Sequence, residues 1–406
     1  MPILSELENQ ITPHNGDRTE DCQDRYLFDR MANMIEPEFS LEKGLIHLNH
    51  AAVSPWPRRT VEAVKAFAEE NGIRGSLGYP RWLKTEEQLR EQLRKLIHAP
   101  AIEDIALVKN TSEALSFVAY GLDWQAGDSV VITDQEFPSN RVVWESLQDQ
   151  GVSVRKARLN QHVSPEEAIM AETDDSTRLV AISSVQYASG LKMDLARIGR
   201  FCRKRKILFC VDAIQSVGAL PMDVQAIHAD FLAADGHKWM LGPEGLGVFY
   251  CRSEIRPCLK LTQYGWHMLE ALGEFDRQEW KAAESARRFE CGSPNMLGVH
   301  GLHASLSLLL DIGIPVVEEA IRQRVDRLVT GLQAIPDIEI LSDLRPDRRS
   351  GILTFHHHRL SDATVHEALS RRGVFCARRG GGIRLSPHFY TPLEAIDRTL
   401  KWVTEC

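Results

Sequence analysis

Near residue 85 the apolar positions fall into order. From there to about residue 255, helical and strand patterns alternate. TEEQLREQLRKLI (85–97) carries apolar residues at helical spacing. A short apolar run, DIALVKN (104–110), precedes TSEALSFVAYGL (111–122), a helix with Ser112 as its expected N-cap. DSVVITD (128–134) predicts a strand, NRVVWESLQDQG (140–151) a helix and VSVRKARL (152–159) a strand. TRLVAISSV (177–185), DLARIGRFCRKRK (194–206) and ILFCVD (207–212) repeat that order, and ADFLAAD (229–235) and GLGVFYC (245–251) complete it. Such βαβ alternation predicts an α/β fold with a mostly parallel sheet covered by helices on both faces. Beyond it, a helical stretch at 295–335, RSGILTFHHH (349–358), a helix at 361–372 and the tail TPLEAIDRTLKWV (391–403) predict a smaller α+β domain. Residues 1–40 are polar, with few periodic apolar positions, and read as an arm. The expected division is an N-terminal arm with part of the small domain over 1–60, a large domain over 61–295 and the small domain over 296–406.

Composition narrows the class. The 406 residues are 43% hydrophobic and 26% charged, an ordinary globular mix, and the net charge of −8 argues against a nucleic-acid partner. None of the 8 cysteines forms a CxxC pair, so no zinc ribbon or thioredoxin-type motif is expected. The start, MPILSELENQ, is acidic and polar, unlike a signal peptide. The longest apolar runs, such as ASLSLLLDIG, are too short to cross a bilayer. A cytoplasmic protein with no membrane partner is the expectation.

The candidate chemistry sits just past the strand ends, where open α/β sheets collect ligands. Thr111 and Ser112 open a helix whose free N–H groups suit an anion, although a plain cap reads the same way. Phe137, in QEFPSN, is core or a ring that stacks on a planar ligand. Asp212 closes an apolar strand, as a turn carboxylate or as the partner of a cationic ring nitrogen. Lys238, in DGHKW, follows an apolar strand and precedes a Gly/Pro-rich segment; it either snorkels to solvent or is a desolvated amine able to form a Schiff base. A phosphate cradle, an aromatic lid, a carboxylate and a lysine together are what pyridoxal phosphate needs.

From LIHLNHAAVSP (45–55) to IRLSPHFYTPLEAID (383–397) the chain resembles the class V aminotransferases of the fold-type-I pyridoxal-phosphate superfamily. That group includes cysteine desulfurases, selenocysteine lyases, isopenicillin N epimerase and, more distantly, kynureninase. The resemblance implies that Lys238 bonds the cofactor, Asp212 pairs with its ring nitrogen, Ala213 packs under the ring and Gln215 hydrogen-bonds the ring oxygen. Phe137 takes the stacking position, a His in desulfurases, and Thr111, Ser112 and His237 take the phosphate. Ser293, in FECGSPN, matches a hydroxyl residue that serves the neighbouring subunit, which implies a homodimer. Arg384, in GIRLSPH, grips the substrate carboxylate, with Asn49, His50 and Tyr187 lining the site. The substrate implied is a small molecule, an amino acid.

Two departures bear on the reaction. Asp235 stands where many members carry Ser, and a carboxylate there would repel a phosphate. The mobile cysteine loop of one desulfurase group is shortened here to GVFCARRGGGIRLSP. It holds Cys376 in a strand-like context, expected to be a buried, unreactive thiol unless Arg378, Arg379 and Arg384 activate it. The triplet His356–His358 belongs to a strand pattern, and no metal site is expected. Lys238, Asp212 and Arg384 imply α-proton abstraction from an amino acid. With no desulfurase loop, transamination ranks first, C–S or related lyase chemistry second and epimerisation third. A non-enzymatic cofactor-binding regulator ranks below these, since no basic helix-turn-helix candidate accompanies the retained residues. No GxGxxG follows a strand, against a nicotinamide enzyme.

Overall fold

The structure, a computed structural model, describes residues 37–406, so the arm expected over 1–40 lies almost wholly outside the described residues. Leu41–Cys406 form a single unit. Its strands in chain order are β1 (Ile46–His47), β2 (Ile105–Val108), β3 (Ser129–Thr133), β4 (Ser153–Ala157), β5 (Thr177–Ser183), β6 (Leu208–Asp212), β7 (Phe231–Asp235) and β8 (Gly247–Cys251). They continue with β9 (Ile338–Ile340), β10 (Leu353–His357), β11 (Val374–Phe375), β12 (Ala377–Arg379) and β13 (Gly382–Leu385). The helices that matter to the site are α1 (Arg58–Arg74), α2 (Tyr79–Leu96), α3 (Thr111–Gly121), α4 (Ser139–Glu145), α5 (Pro165–Ala171), α6 (Leu195–Arg205), α7 (Met296–Ile312), α8 (Ile314–Gln333), α9 (Asp362–Arg371) and α10 (Leu393–Thr404).

Seven strands form the main sheet in the order β2-β8-β7-β6-β5-β3-β4. Pairs from β7 through β4 are parallel, whereas β8 runs antiparallel to both β2 and β7. The expected mostly parallel α/β sheet is therefore present. Strands β3, β7 and β8 are buried at every residue, the mark of strands covered on both faces. A core of Phe117, Val130, Trp144, Phe231, Phe249 and Phe289 fills one side of this sheet. The C-terminal part builds an antiparallel sheet, β12-β13-β10-β9, and β11 pairs in parallel with β1. A bridge from Asn49 to Ser386 continues this link between the early chain and the late chain.

Local details differ from the sequence expectations in three places. Asn110, not Ser112, caps α3: its side chain accepts the Glu113 N–H at 2.9 Å. The helix expected over 140–151 ends at Glu145, and only a 3₁₀ turn follows at Gln148–Gln150. At the start of α4, Asn140 leaves helical dihedrals, and its amide is shared between Glu136 and Trp144. The stretch expected over 295–335 splits into α7 and α8 at Gly313, whose φ of 90° ends one helix one residue before Ile314–Pro315 starts the next.

Candidate active site

The carboxyl ends of the parallel strands open onto a cavity of about 270 Å³. Loops leaving β2, β3, β5, β6 and β7 bring Thr111, Phe137, Tyr187, Asp212 and Lys238 to it, and β13 adds Arg384 from the other sheet. Residues more than two hundred positions apart thus face one space. A larger cleft of about 610 Å³ lies at the amino ends of β6 and β7. Of its basic groups, Arg252 pairs with Asp230 and Arg203 meets His228. Its lysine, Lys206, is exposed, whereas Lys238 is buried.

Lys238 is only 9% exposed. Its loop is held from both sides: Ser54 Oγ donates to the Lys238 carbonyl at 2.6 Å, and the Ser54 N–H donates to the His237 carbonyl at 2.9 Å. Behind it pack Trp239, Met240 and Leu241, all fully buried. Burial lowers the ammonium pKa of Lys238; Arg384 lowers it further, and Asp212 and Asp235 oppose the shift. The Nζ lies 5.6 Å from the centroid of the Phe137 ring, which also meets Tyr187 edge-on at 5.1 Å.

Asp212, 2% exposed, accepts the Ile214 N–H at 3.1 Å. Burial raises its pKa, the Ile214 N–H opposes this, and the charge on Glu136 adds to the rise. A cation facing this carboxylate would relieve the desolvation. Gln215 donates to the Ala51 carbonyl at 3.0 Å and accepts from the Trp239 indole at 2.9 Å, tying the 51–54 segment to the lysine loop. Ala213 is fully buried beside it, off the cavity surface.

At the start of α3, the Thr111 hydroxyl is buried with no hydrogen-bond partner. Ser112 Oγ donates to Ser139 Oγ at 2.9 Å. His237 Nδ1 stands 3.0 Å from Asp235 Oδ1, so the carboxylate that departs from the family pattern faces an imidazole. The orphaned Thr111 hydroxyl at a helix N-terminus is an observation that fits a phosphate.

Arg384, 3% exposed, donates to the Tyr187 carbonyl at 2.7 Å and to Asn49 Oδ1 at 3.4 Å, while its Nε has no partner. Asn49 thus positions the guanidinium from behind. His50 lies behind the cavity rather than on it. Its ring meets the Ser386 carbonyl at 2.8 Å and the Tyr390 hydroxyl at 2.7 Å, and burial holds it neutral with a pKa well below the usual value. Ser293 does not line the cavity either; its expected role concerns a second copy of the chain.

Sequence reasoning named Arg379 only as a cation near Cys376 and missed Ser139 and the Ala51–Val53 segment, all of which line the cavity. It also missed Glu136, the buried carboxylate next to Phe137. Glu136 accepts from Thr133, Asn140, Gln186 and both the N–H and hydroxyl of Ser183, and so fixes the loop that carries Phe137. An acidic residue between Gln135 and Phe137 right after an apolar strand was its only sequence signal.

The family model for aminotransferase class V matches residues 46–397. A probable cysteine desulfurase of Methanothermobacter thermautotrophicus is 31% identical over 89% of this chain and 95% of its own. The structure of an apo cysteine desulfurase from Thermococcus onnurineus superposes with a TM-score of 0.83 at 26% identity, over 92% of this chain and 97% of that one. A cystine C–S lyase in complex with its reaction product, cysteine persulfide, superposes with a TM-score of 0.82 at 25% identity, over 88% and 97%. A match this long, joined to a buried lysine, carboxylate and arginine around one cavity, shows that the chain belongs to the aminotransferase class V family of pyridoxal-phosphate enzymes.

Proposed function

We propose that this enzyme is an amino-acid C–S lyase that expels sulfur together with the substrate's own fragment, without passing it to a cysteine of the protein. The observation that sets the reading apart from a persulfide-forming desulfurase is the composition of the cavity wall: an amine, a carboxylate and a guanidinium converge, and no described cysteine joins them. A persulfide-forming enzyme needs a thiolate at the substrate sulfur. Cys376 is 4% exposed, and burial pushes its thiol up to about 12. Relatives described as cysteine desulfurase and cystine C–S lyase support cleavage at a C–S bond.

In this reading Lys238 would bond the cofactor aldehyde, Asp212 would keep a proton on its ring nitrogen and Phe137 would cover the ring. Thr111, Ser112 and His237 would take the phosphate, Gln215 would border the ring, Ala213 would back the wall beneath it, and Ser293 would serve the site of a second copy in a homodimer. When bound, the cofactor supplies an electron sink for the pair left by the departing α-proton. Arg384, steadied by Asn49 and Tyr187, grips the α-carboxylate and so fixes which bond faces Lys238. The Lys238 amine, its basicity tempered by burial, would take the α-proton. The Cβ–S bond then breaks with its electron pair on sulfur, and water converts the unsaturated amine to pyruvate and ammonia. Transamination is the second reading. It uses the same three side chains, and the thiol-free wall favours it equally; the relatives' C–S chemistry places it second.

The test mixes holoenzyme with cystine and S-substituted cysteines and identifies the products. Pyruvate, ammonia and the sulfur fragment are expected in equal amounts. Lys238→Ala abolishes both the visible cofactor absorbance and turnover, and Cys376→Ser retains most activity. A keto acid that keeps its sulfur substituent overturns the reading in favour of transamination. Persulfide trapped on Cys376, with turnover lost in Cys376→Ser, overturns it in favour of a desulfurase.

A further inference from the structure

Once the cofactor and an α-carboxylate are assigned, the cavity still holds a charge with no counterpart. Six acidic or basic side chains line it: Asp212, Asp235, His237, Lys238, Arg379 and Arg384. Asp235 faces His237. Asp212 and Lys238 serve the cofactor, and Arg384 serves the α-carboxylate. Arg379 remains, and the hydrogen bond its side chain makes is to the neighbouring Arg378 carbonyl at 2.9 Å. Among the described residues no carboxylate pairs with it.

The backbone fixes where Arg379 points. Gly380 and Gly381 both have positive φ, 61° and 77°, as the two-residue turn of a tight hairpin requires. That turn sets the register in which Ala377 opposes Arg384 and Arg379 opposes Gly382. Opposed residues share a face, and so do residues two apart on a strand. Arg379 and Arg384 therefore stand on one face of the hairpin as diagonal neighbours, and Arg378 stands on the other. The hairpin is braced at its tip and base. A Cβ on Gly380 would meet the Ala188 side chain at 3.0 Å, and Arg384 holds the Tyr187 carbonyl at 2.7 Å. Burial lowers the pKa of Arg384 to about 10 and the positive charge of Arg379 adds to that fall, consistent with two guanidinium groups facing one space.

We infer that Arg379 selects substrates with a second anionic group, an amino acid carrying a carboxylate beyond the scissile C–S bond. Arg384 takes the α-carboxylate from the floor of the cavity, and Arg379 takes the distal carboxylate from its exposed rim. This inference rests on the cofactor and elimination reading above. An arginine at the rim sets selectivity more than rate, because a contact made equally in ground state and transition state appears in KM.

The experiment compares S-carboxymethylcysteine with its uncharged counterpart S-propylcysteine. The ratio of their kcat/KM values is expected to favour the dianion in the parent enzyme. It falls about tenfold in Arg379→Gln, through KM, and returns in part in Arg379→Lys. Arg378→Gln, which removes the same charge from the opposite face, keeps the ratio. An unchanged ratio in Arg379→Gln, or an equal fall in Arg378→Gln, overturns the inference. If neither conjugate nor cystine is cleaved, the lyase reading fails, and Kd values of glutarate and butyrate, read from the cofactor's visible spectrum, still decide the inference. Selective loss of glutarate binding in Arg379→Gln upholds it. Equal affinities of the two acids, or no selective loss, overturn it.

Discussion

At the scale of single residues, the site places a carboxylate where folding alone would not. Asp212 sits at the end of a fully apolar strand, and burial raises its pKa above the ordinary 3.8. Without cofactor, the native state binds a proton there that the unfolded chain gives up. Stability of the cofactor-free enzyme therefore falls as pH rises from the ordinary carboxylate range through the raised pKa. Each unit of that rise is worth about 1.4 kcal/mol. Asp212→Asn removes the dependence, so its urea midpoint, measured without cofactor, exceeds the parent's at pH 8 and approaches it near pH 5. Equal midpoint differences at the two pH values would refute this account. Residues of this kind were legible in the sequence because their chemistry clashes with their surroundings: a lysine and an aspartate at the ends of apolar strands have few structural uses. Arg379 and Glu136 were not legible. An arginine in a hairpin and a glutamate in a loop are ordinary until the register and the hydrogen bonds are known.

Among the elements, α6 shows close packing overriding propensity. Its buried face is Leu195, Ile198, Gly199 and Cys202. A Cβ on Gly199 would come within 1.7 Å of the Ile227 carbonyl oxygen, which a backbone atom cannot easily yield. Helix propensity alone predicts that Gly199→Ala gains about 1 kcal/mol. The contact predicts the reverse, a loss of about 1–3 kcal/mol from overpacking, visible as a lower urea midpoint. A stabilised variant would show that α6 shifts freely on the sheet. The same contrast explains what the sequence revealed of the fold. Continuous apolar runs between amphipathic helices announced the parallel strands. The reversed direction of β8 left no trace, since a strand buried on both faces has the same pattern in either orientation. The N-cap was displaced by one chemical degeneracy: Asn110, Thr111 and Ser112 are all capping residue types in a row.

For the whole molecule, the question is what covers its apolar surface. Two segments carry large apolar side chains into solvent. Leu77 is 77% exposed with Ile73 near it in sequence, and Phe275 is 76% exposed between Tyr264 and Trp280 in the second segment. Single exposed apolar residues are ordinary, but clusters of this size are common at interfaces. No described helix is long and apolar enough to cross a membrane. The proposed homodimer supplies a cover of suitable chemistry, and it also gives Ser293 the site it does not reach within its own chain. Obligate interfaces commonly bury about 2,000 Å² or more in total. Sedimentation of the holoenzyme is expected to give a dimer at working concentration. The double variant Phe275→Glu, Trp280→Glu shifts it toward monomer, because two charges facing their own copies across a desolvated interface have no partner. Cofactor affinity falls with dissociation, and Ser293→Ala lowers that affinity while leaving the dimer intact. A fully active monomer, with cofactor affinity unchanged by Ser293→Ala, would remove both the interface and the shared site.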